Sequence, residues 1–261
     1  MNLSFCPHQH NILKALVCFF VVSLSSSLCA QSKFDRTALT ADEPFVLRSF
    51  ASDITYLLFE PDFYTVVGAL FVTPNLLRSS FDNEAPEYNA RWNTQPADNF
   101  FEFGETLGDG KFIVGLSGGT YLAGMISGDS KMEQVGSHLL RAQAMNGILT
   151  GIMKTTINRK RPNGHDFSYP SGHTSAAFAA AGVVYYDLGM KYGIPAYLTA
   201  GYVGLSRLQE NKHYFTDILA GAVLGTFVAY KITHRNRKND RFFLKPTLIK
   251  GAPAANFTIR F

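Results

Sequence analysis

Apolar runs of helical length alternate with short polar segments over the second half of the chain. In five of these runs the apolar residues recur at the spacing of one helix face, which predicts helices. Upstream, Ile54–Val72 is apolar but broken by charges and a proline, and Arg78–Asn99, which contains two prolines, is predicted to be a long surface loop. The predicted helices are Lys111–Ile126, Ser137–Ile157, Thr174–Leu188, Pro195–Leu208 and Tyr214–Thr233.

The last part of the chain follows a different pattern. Arg241–Lys250 and Ala254–Phe261 are short strand-like runs on either side of a Gly-Ala-Pro turn. We therefore predict an all-α fold: a helical bundle followed by a short β-hairpin-like tail. The expected parts are a signal peptide at 1–30, an N-terminal lead with a helix and a loop at 31–103, the helical core at 104–233, and a basic turn with the β-like tail at 234–261.

The first thirty residues have the pattern of a secretory signal peptide. A polar segment ending in Lys14 precedes the apolar run Ala15–Leu24, and small residues lead to a predicted cleavage site after Ala30. All 3 cysteines lie within this segment, so the predicted mature chain has none. That excludes disulfides, thiolate catalysis and zinc–cysteine sites, and it predicts an exported protein of the periplasm or cell envelope.

The amino-acid composition limits which kinds of partner, such as nucleic acid or a membrane, can be expected. Lys and Arg number 24 and Asp and Glu 20, and the resulting charge of +4 is too small to predict nucleic-acid binding. With 46% hydrophobic residues the chain is expected to fold. The mean hydropathy of +0.02 does not decide whether the chain spans a membrane. None of the uncharged stretches contains about 20 consecutive apolar residues, which is the length that a membrane-spanning helix needs. This favours a periplasmic bundle over an integral membrane protein, and a membrane surface is a candidate partner.

The first motif with chemical content is Lys154, six further residues, and then Arg161-Pro162. Lys154 lies near the end of a predicted helix, and Pro162 prevents that helix from continuing past Arg161. Two cations displaced in this way can bind different oxygens of one tetrahedral anion, Arg through bidentate bonds and Lys as a point charge. Cations at a helix C-terminus are also expected from the helix dipole alone, so this motif is weak by itself.

The second motif is YPSGHT at Tyr169–Thr174, directly before a predicted helix. Ser171 or Thr174 can cap that helix, and Gly172 allows a ligand to approach the backbone closely. The N–H groups and the dipole of a helix N-terminus bind anions. His173 lies at the same end, where a proton donor would meet a leaving group. The alternative is a capped helix with a surface histidine.

The third motif is Ser206-Arg207, five residues, His213, three residues and Asp217. His213 and Asp217 are four residues apart and share one face at the start of a predicted helix. A carboxylate bonded to one imidazole nitrogen fixes the tautomer and leaves the other nitrogen nucleophilic. Arg207 adds a third cation. A His–Asp pair at this spacing is also common as a salt bridge at a helix start.

Taken together and in this order, the motifs resemble those of the type 2 phosphatidic acid phosphatase superfamily, which includes bacterial class A acid phosphatases and vanadium haloperoxidases. The motif match covers residues 154–217, and a looser similarity in helix pattern extends over 104–232. The resemblance implies that the three motifs meet at one end of the bundle. It implies a nucleophile at His213 that forms a phosphohistidine, with Asp217 orienting it, and a proton donor at His173. The phosphate-binding residues that it implies are Lys154, Arg161, Ser171, Gly172 and Arg207.

The resemblance also implies a function. We expect a metal-independent phosphatase, without cofactor, that hydrolyses phosphate monoesters or pyrophosphates through a phosphohistidine. The leading substrates are lipid phosphates of the cell envelope. The alternative is a soluble periplasmic acid phosphatase acting on small phosphate esters, and a remote alternative is a vanadate haloperoxidase.

Overall fold

The computed structural model describes residues 53–82 except 55 and 59, residues 95–235, and two strands near the C-terminus. The predicted signal peptide at 1–30, most of the N-terminal lead and residues 83–94 lie outside the described residues. Within the described ranges the helices are α1 Pro61–Phe81, α2 Gln95–Gly108, α3 Gly110–Ser127, α4 Ser130–Ile157, α5 Gly172–Leu188, α6 Met190–Gln209 and α7 Phe215–Thr233.

The predicted all-α fold is confirmed, and all five predicted helices are present with shifted ends. The start of α4 is earlier than predicted because Asp129 caps its first turn, where the backbone N–H groups of Lys131 and Met132 donate to Asp129 Oδ1 at 2.9 and 3.1 Å. This turn is polar, so the apolar periodicity does not reveal it. The start of α6 is also earlier, and Pro195 lies inside the helix rather than at its first residue.

The prediction of a surface loop over Arg78–Asn99 is wrong at both ends. The first helix continues to Phe81, and α2 already begins at Gln95, ahead of the predicted start of the core at residue 104. Proline misled the prediction here, because Pro96 lies in the first turn of α2, where a helix loses no hydrogen bond to it.

The central helix is α5, which packs against α4, α6 and α7. Around it α3 packs on α4, α2 on α6, and α1 on α7. One core cluster includes Val183 with Leu224 and Val228, and the other includes Ala181 with Val203. This arrangement brings the C-terminal ends of α4 and α6 and the N-terminal ends of α5 and α7 to one end of the bundle, which we call the catalytic end.

Two glycines of α7 allow α5 and α7 to approach each other closely. A Cβ atom at Gly221 would lie 2.7 Å from the carbonyl oxygen of Ser171, and one at Gly225 would lie 2.2 Å from the carbonyl oxygen of Ser175. Any larger residue would therefore push α5 and α7 apart. The contact aligns the two helix starts, and the backbone N–H of Ser171 donates to the carbonyl oxygen of Asp217 at 3.0 Å.

Buried ion pairs join the segment before α1 to the opposite end of the bundle. Asp53 is fully buried and accepts hydrogen bonds from Arg141 of α4 at 2.6 and 2.8 Å and from Arg235 after α7. Removing one member of the buried Asp53 group typically costs about 3–5 kcal/mol, because its partner is left as an unpaired buried charge. Lys231 of α7 also lies 2.7 Å from Asp62, a half-exposed carboxylate in the first turn of α1.

The C-terminal tail forms the predicted hairpin. Strands β1, Phe242–Ile249, and β2, Ala252–Ile259, pair antiparallel, with Phe242 opposite Ile259 and Ile249 opposite Ala252. The second strand begins earlier than the strand-like run predicted from Ala254, so Ala252 and Pro253 belong to the strand rather than to the turn.

Candidate active site

His213 and Asp217 form the centre of the catalytic end. His213 lies in the short connection before α7, and Asp217 lies in the first turn of that helix. The Nδ1 atom of His213 is 3.6 Å from Oδ2 of Asp217, and both side chains are buried. Because Nδ1 faces the carboxylate, Nε2 is the nitrogen available for chemistry.

The surroundings of His213 keep its imidazole neutral. Burial lowers the pKa of His213, the hydrogen bond and the charge of Asp217 oppose that shift, and the nearby cations Lys154 and Arg161 lower the pKa further. A neutral imidazole retains the lone pair that a nucleophile needs. Acidification through this lowered pKa would protonate His213 and remove the lone pair.

Three groups besides His213 hold the Asp217 carboxylate in place. The backbone N–H of Tyr214 donates to Oδ2 at 2.9 Å and closes a capping box at the start of α7. The hydroxyl of Ser168 donates to the same oxygen at 2.5 Å and lies 3.5 Å from Nδ1 of His213. Arg159 Nη1 donates to Oδ1 at 2.7 Å. Asp217 therefore has little freedom to turn away from His213.

Arg159 is a site residue that the sequence analysis missed. It lies between Lys154 and Arg161 of the first motif, and its Nη2 donates to the buried Asp82 at 2.5 Å while its Nη1 also reaches Thr216 Oγ1 at 2.7 Å. Its guanidinium lies 4.2 Å from the centre of the Tyr214 ring. The position between two motif cations was the only available signal, because Asp82 is too distant in sequence for any spacing rule.

The N-terminus of α5 and the first motif form the cationic side of the site. Ser171 is fully buried and caps α5, with its Oγ accepting from the N–H of Thr174 at 3.4 Å. The helix therefore begins at Gly172, two residues before the predicted start at Thr174, and its first N–H groups can bind an anion. Lys154 reaches this helix start and donates to the carbonyl oxygen of Phe167 at 2.6 Å. Arg161 has a buried Nε with no hydrogen-bond partner among the described residues. A buried N–H donor without a partner is costly, and a bound anion would satisfy it.

Arg207 and His173 occupy the other side of the site. Arg207 is 1% exposed and forms ion pairs with Glu210 and, at 3.3 Å, with Glu105 of α2. Burial and, to a lesser extent, the charge of Arg207 lower the pKa of His173 to about 4, and the charge of Glu105 opposes the shift. The predicted cations thus meet around one space, but carboxylates already neutralise Arg207, and its role as a phosphate ligand stays a prediction.

Among the residues that the structure describes, there is no cluster of three or more His, Cys, Asp or Glu side chains that could hold a metal ion. The groups that can balance a negative charge at the catalytic end are the cations named above and the N–H groups of α5. The arrangement can therefore bind a tetrahedral anion between a buried histidine and a second histidine at a helix start.

Comparisons with known proteins agree with this geometry. Residues 136–241 match the family model described as the PAP2 superfamily, which confirms the predicted resemblance. The chain is 37% identical over 89 residues to a lipid A 1-phosphatase of Porphyromonas gingivalis, covering 33% of this chain and 20% of that protein. It is 35% identical over 79 residues to a lipid A 4'-phosphatase of Helicobacter pylori, covering 30% and 39%. The chain thus spans well under half the length of these curated relatives.

Two solved structures share the fold. A transmembrane PAP2 type phosphatidylglycerolphosphate phosphatase from Bacillus subtilis matches with a TM-score of 0.56 at 21% identity, covering 74% of this chain and 98% of that one. Aquifex aeolicus LpxE matches with a TM-score of 0.50 at 21% identity, covering 59% and 95%. At this level of identity the likeness extends to the helical architecture.

Proposed function

Because residues 136–241 carry the PAP2 superfamily pattern, we propose that this protein is a metal-independent phosphatase that hydrolyses lipid phosphates through a phosphohistidine. The observation that carries the proposal is the buried His213–Asp217 pair, which lies within electrostatic range of Lys154 and Arg161 of the first motif. The lipid A phosphatases of P. gingivalis and H. pylori support a lipid phosphate as the substrate.

In the first half-reaction, His213 Nε2 attacks phosphorus on the side opposite the ester oxygen. The bound phosphate dianion raises the pKa of His173 and so favours its protonated form. The P–O bond to the alcohol breaks as the P–N bond forms, and His173 gives its proton to the departing oxygen. Asp217 keeps Nδ1 protonated and stabilises the positive charge that grows on the ring. Arg159 acts through Asp217 by fixing its carboxylate.

In the second half-reaction, His173 accepts a proton from water, and the oxygen of that water attacks phosphorus. The P–N bond breaks, inorganic phosphate leaves, and both histidines return to their starting states. Lys154, Arg161 and the N–H groups at the start of α5 would hold the phosphoryl oxygens throughout. Preorganised donors of this kind are each worth about 10²–10³ in rate.

The distribution of charge along the helices supports a location in a membrane of the cell envelope. Within the described residues only α7 is both long and apolar enough to span a membrane alone, and most of its apolar window is buried. In α1, α3, α5 and α6, however, charged residues are confined to the ends, whereas α2 carries Glu102 and Glu105 and α4 carries the buried Arg141. The uncharged middles of the helices other than α2 span about 18–25 Å at 1.5 Å per residue, and they are 63–77, 112–128, 142–153, 174–186, 192–206 and 218–230.

The outward faces of these uncharged middles are apolar. Ile126 of α3 is 87% exposed and Leu198 of α6 is 68% exposed, which is unusual for large aliphatic side chains unless lipid or a partner covers them. Several polar side chains of the same helices, among them Ser117, Asn146 and Ser206, are buried inside the bundle and lower the mean hydropathy of these helices. Other exposed apolar residues on α3, α4 and α6 are Phe112, Val114, Leu116, Leu122, Met125, Ile148, Ile152, Tyr192, Ile194 and Leu205.

The first prediction concerns this location. When the full chain is expressed, it should stay in the membrane pellet after alkaline carbonate extraction and require detergent for release, because the bundle presents apolar side chains around its middle. A periplasmic protein from the same cells serves as the released control. Release by carbonate would instead favour the membrane-apposed periplasmic bundle and the soluble acid phosphatase alternative.

The second prediction concerns the chemistry. The purified protein should release phosphate from lysophosphatidate in the presence of EDTA, because cationic side chains rather than a metal would balance the phosphoryl charge. Vanadate, which adopts the five-coordinate geometry of the transition state, should inhibit the release. Loss of activity on chelation, with recovery on added metal, would argue against the proposed mechanism.

A further inference from the structure

A groove of about 520 Å³ leads from the catalytic end into the bundle between α3, α4 and α5. Lys154 and His173 line its upper part, and Gln143 of α4 lines its far end. The positions of α4 that face it recur every three or four residues, so one stripe of this helix forms a wall of the groove. The groove therefore starts where a leaving group would depart and continues into the uncharged part of the bundle.

Glycines keep this groove open along α4. Gly147 and Gly151 both line it, and a Cβ atom built at either position would meet no atom within 4 Å. A side chain there would occupy the groove itself. On the opposite side α3 contributes the small Gly110 and the aliphatic Val114, so most of the lining can accept an apolar chain.

One polar atom in the groove lacks a partner. Asn146 is 2% exposed, and its Nδ2 donates to Ser175 Oγ at 3.1 Å. Ser175 Oγ in turn donates to the carbonyl oxygen of Gly172 at 3.1 Å, which fixes the orientation of the amide. The Oδ1 atom of Asn146 is buried without a hydrogen-bond partner among the described residues. Buried acceptors are nearly always paired, so this atom points to a donor supplied by a ligand.

The polar neighbours of Asn146 in the groove already have partners. Gln143 Nε2 donates to the carbonyl oxygen of Ala176 at 3.0 Å, and the hydroxyl of Thr150 lies 3.2 Å from Ser175 Oγ. Asn146 therefore differs from the residues one turn away on either side, and Thr150 offers a matched control.

We propose that the groove binds the alcohol part of the substrate and that Asn146 Oδ1 accepts a hydrogen bond from a hydroxyl or amide N–H on it. The substrate class is then a lipid phosphate monoester with a hydrogen-bond donor a few bonds beyond the ester oxygen. This inference rests on the proposed function, because the groove begins at His173, where the ester oxygen must leave. The acyl chain follows the apolar lining away from the phosphate.

The test compares two matched pairs of substrates. One pair is 2-(dodecanoylamino)ethyl phosphate and its ester 2-(dodecanoyloxy)ethyl phosphate, and the other is lysophosphatidate and its 2-deoxy analogue. The ratio of kcat/KM values within a pair is measured, since it is independent of the active fraction of each preparation. The native protein should prefer the donor-bearing member of at least one pair by about tenfold.

Asn146→Leu should reduce that ratio to near one, while Thr150→Val should keep it. As a second variant, Gly147→Leu should fill the groove and reduce kcat/KM for the lipid phosphates far more than for p-nitrophenyl phosphate. Equal kcat/KM within both pairs, or a ratio unchanged by Asn146→Leu, overturns the inference and leaves the proposed function standing. No hydrolysis of any of these phosphates overturns both.

Discussion

Replacing His213 with alanine is expected to reduce kcat/KM on the order of 10⁴-fold or more, because the replacement removes the attacking nitrogen. The loss should be similar for lipid phosphates and for p-nitrophenyl phosphate, since every substrate must pass through the same nucleophile. The measurement is phosphate release by purified protein in detergent. The melting temperature should change little compared with the activity, because the contacts of His213 Nδ1 with Asp217 at 3.6 Å and with Ser168 at 3.5 Å are both long.

The matched control for this prediction is His165→Ala. His165 is an exposed histidine in the connection between α4 and α5, and the contact it makes with Arg161 uses its backbone carbonyl oxygen, which alanine retains. Its replacement should leave kcat/KM unchanged. Comparable losses in the two variants would contradict the assignment of His213 as the nucleophile.

Replacing Arg159 with methionine is expected to lower both stability and activity. The change leaves Asp82 and Asp217 buried without their shared cation, and breaking a buried ion pair from one side costs about 3–5 kcal/mol. The melting temperature in detergent should fall by roughly 10 °C. Below that temperature kcat should still fall, because Asp217 is no longer held against His213.

Two further variants separate the effect of the position of the Arg159 guanidinium from the effect of its charge. Arg159→Lys keeps the cation but cannot bond Asp82, Thr216 and Asp217 together, so its kcat should remain well below that of the native protein. Lys160→Met removes a cation from the next position, where the side chain is 78% exposed, and should change stability by less than about 0.5 kcal/mol. A native kcat in Arg159→Lys would mean that charge alone suffices.

The sequence predicts those parts of the site whose residues are close together in the chain, because their spacing determines how they meet. The four-residue spacing of His213 and Asp217 predicts that they lie together at the start of α7, and Ser171 is one of the two predicted caps of α5. Arg159 and Asp82 could not be predicted in this way. Their contact depends on how the end of α1 packs beside α7, and no local rule reports such packing.

The predicted helix boundaries fail where local signals conflict with tertiary packing. Prolines indicated a loop across Arg78–Asn99, yet α1 and α2 extend into it from both sides because α1 packs on α7 and α2 packs on α6. Arg207 shows a related limit for function. The resemblance implied a phosphate ligand at Arg207, but only the structure reveals its ion pairs with Glu105 and Glu210.

Hydropathy along the sequence also left the membrane question undecided, for a physical reason. The glycines, serines and threonines that let α5 and α7 approach closely lower the mean hydropathy of these helices. The outward faces, which decide contact with lipid, can be recognised only once the packing is known.

The most direct test of the central claim is to trap the intermediate. Native protein mixed with a ³²P-labelled lipid phosphate in EDTA and quenched within milliseconds should carry label that is stable to alkali and lost in acid, as expected for a phosphoramidate. Peptide mapping should locate the label on His213. Turnover without any labelled protein, or label on a residue other than His213, would contradict the account.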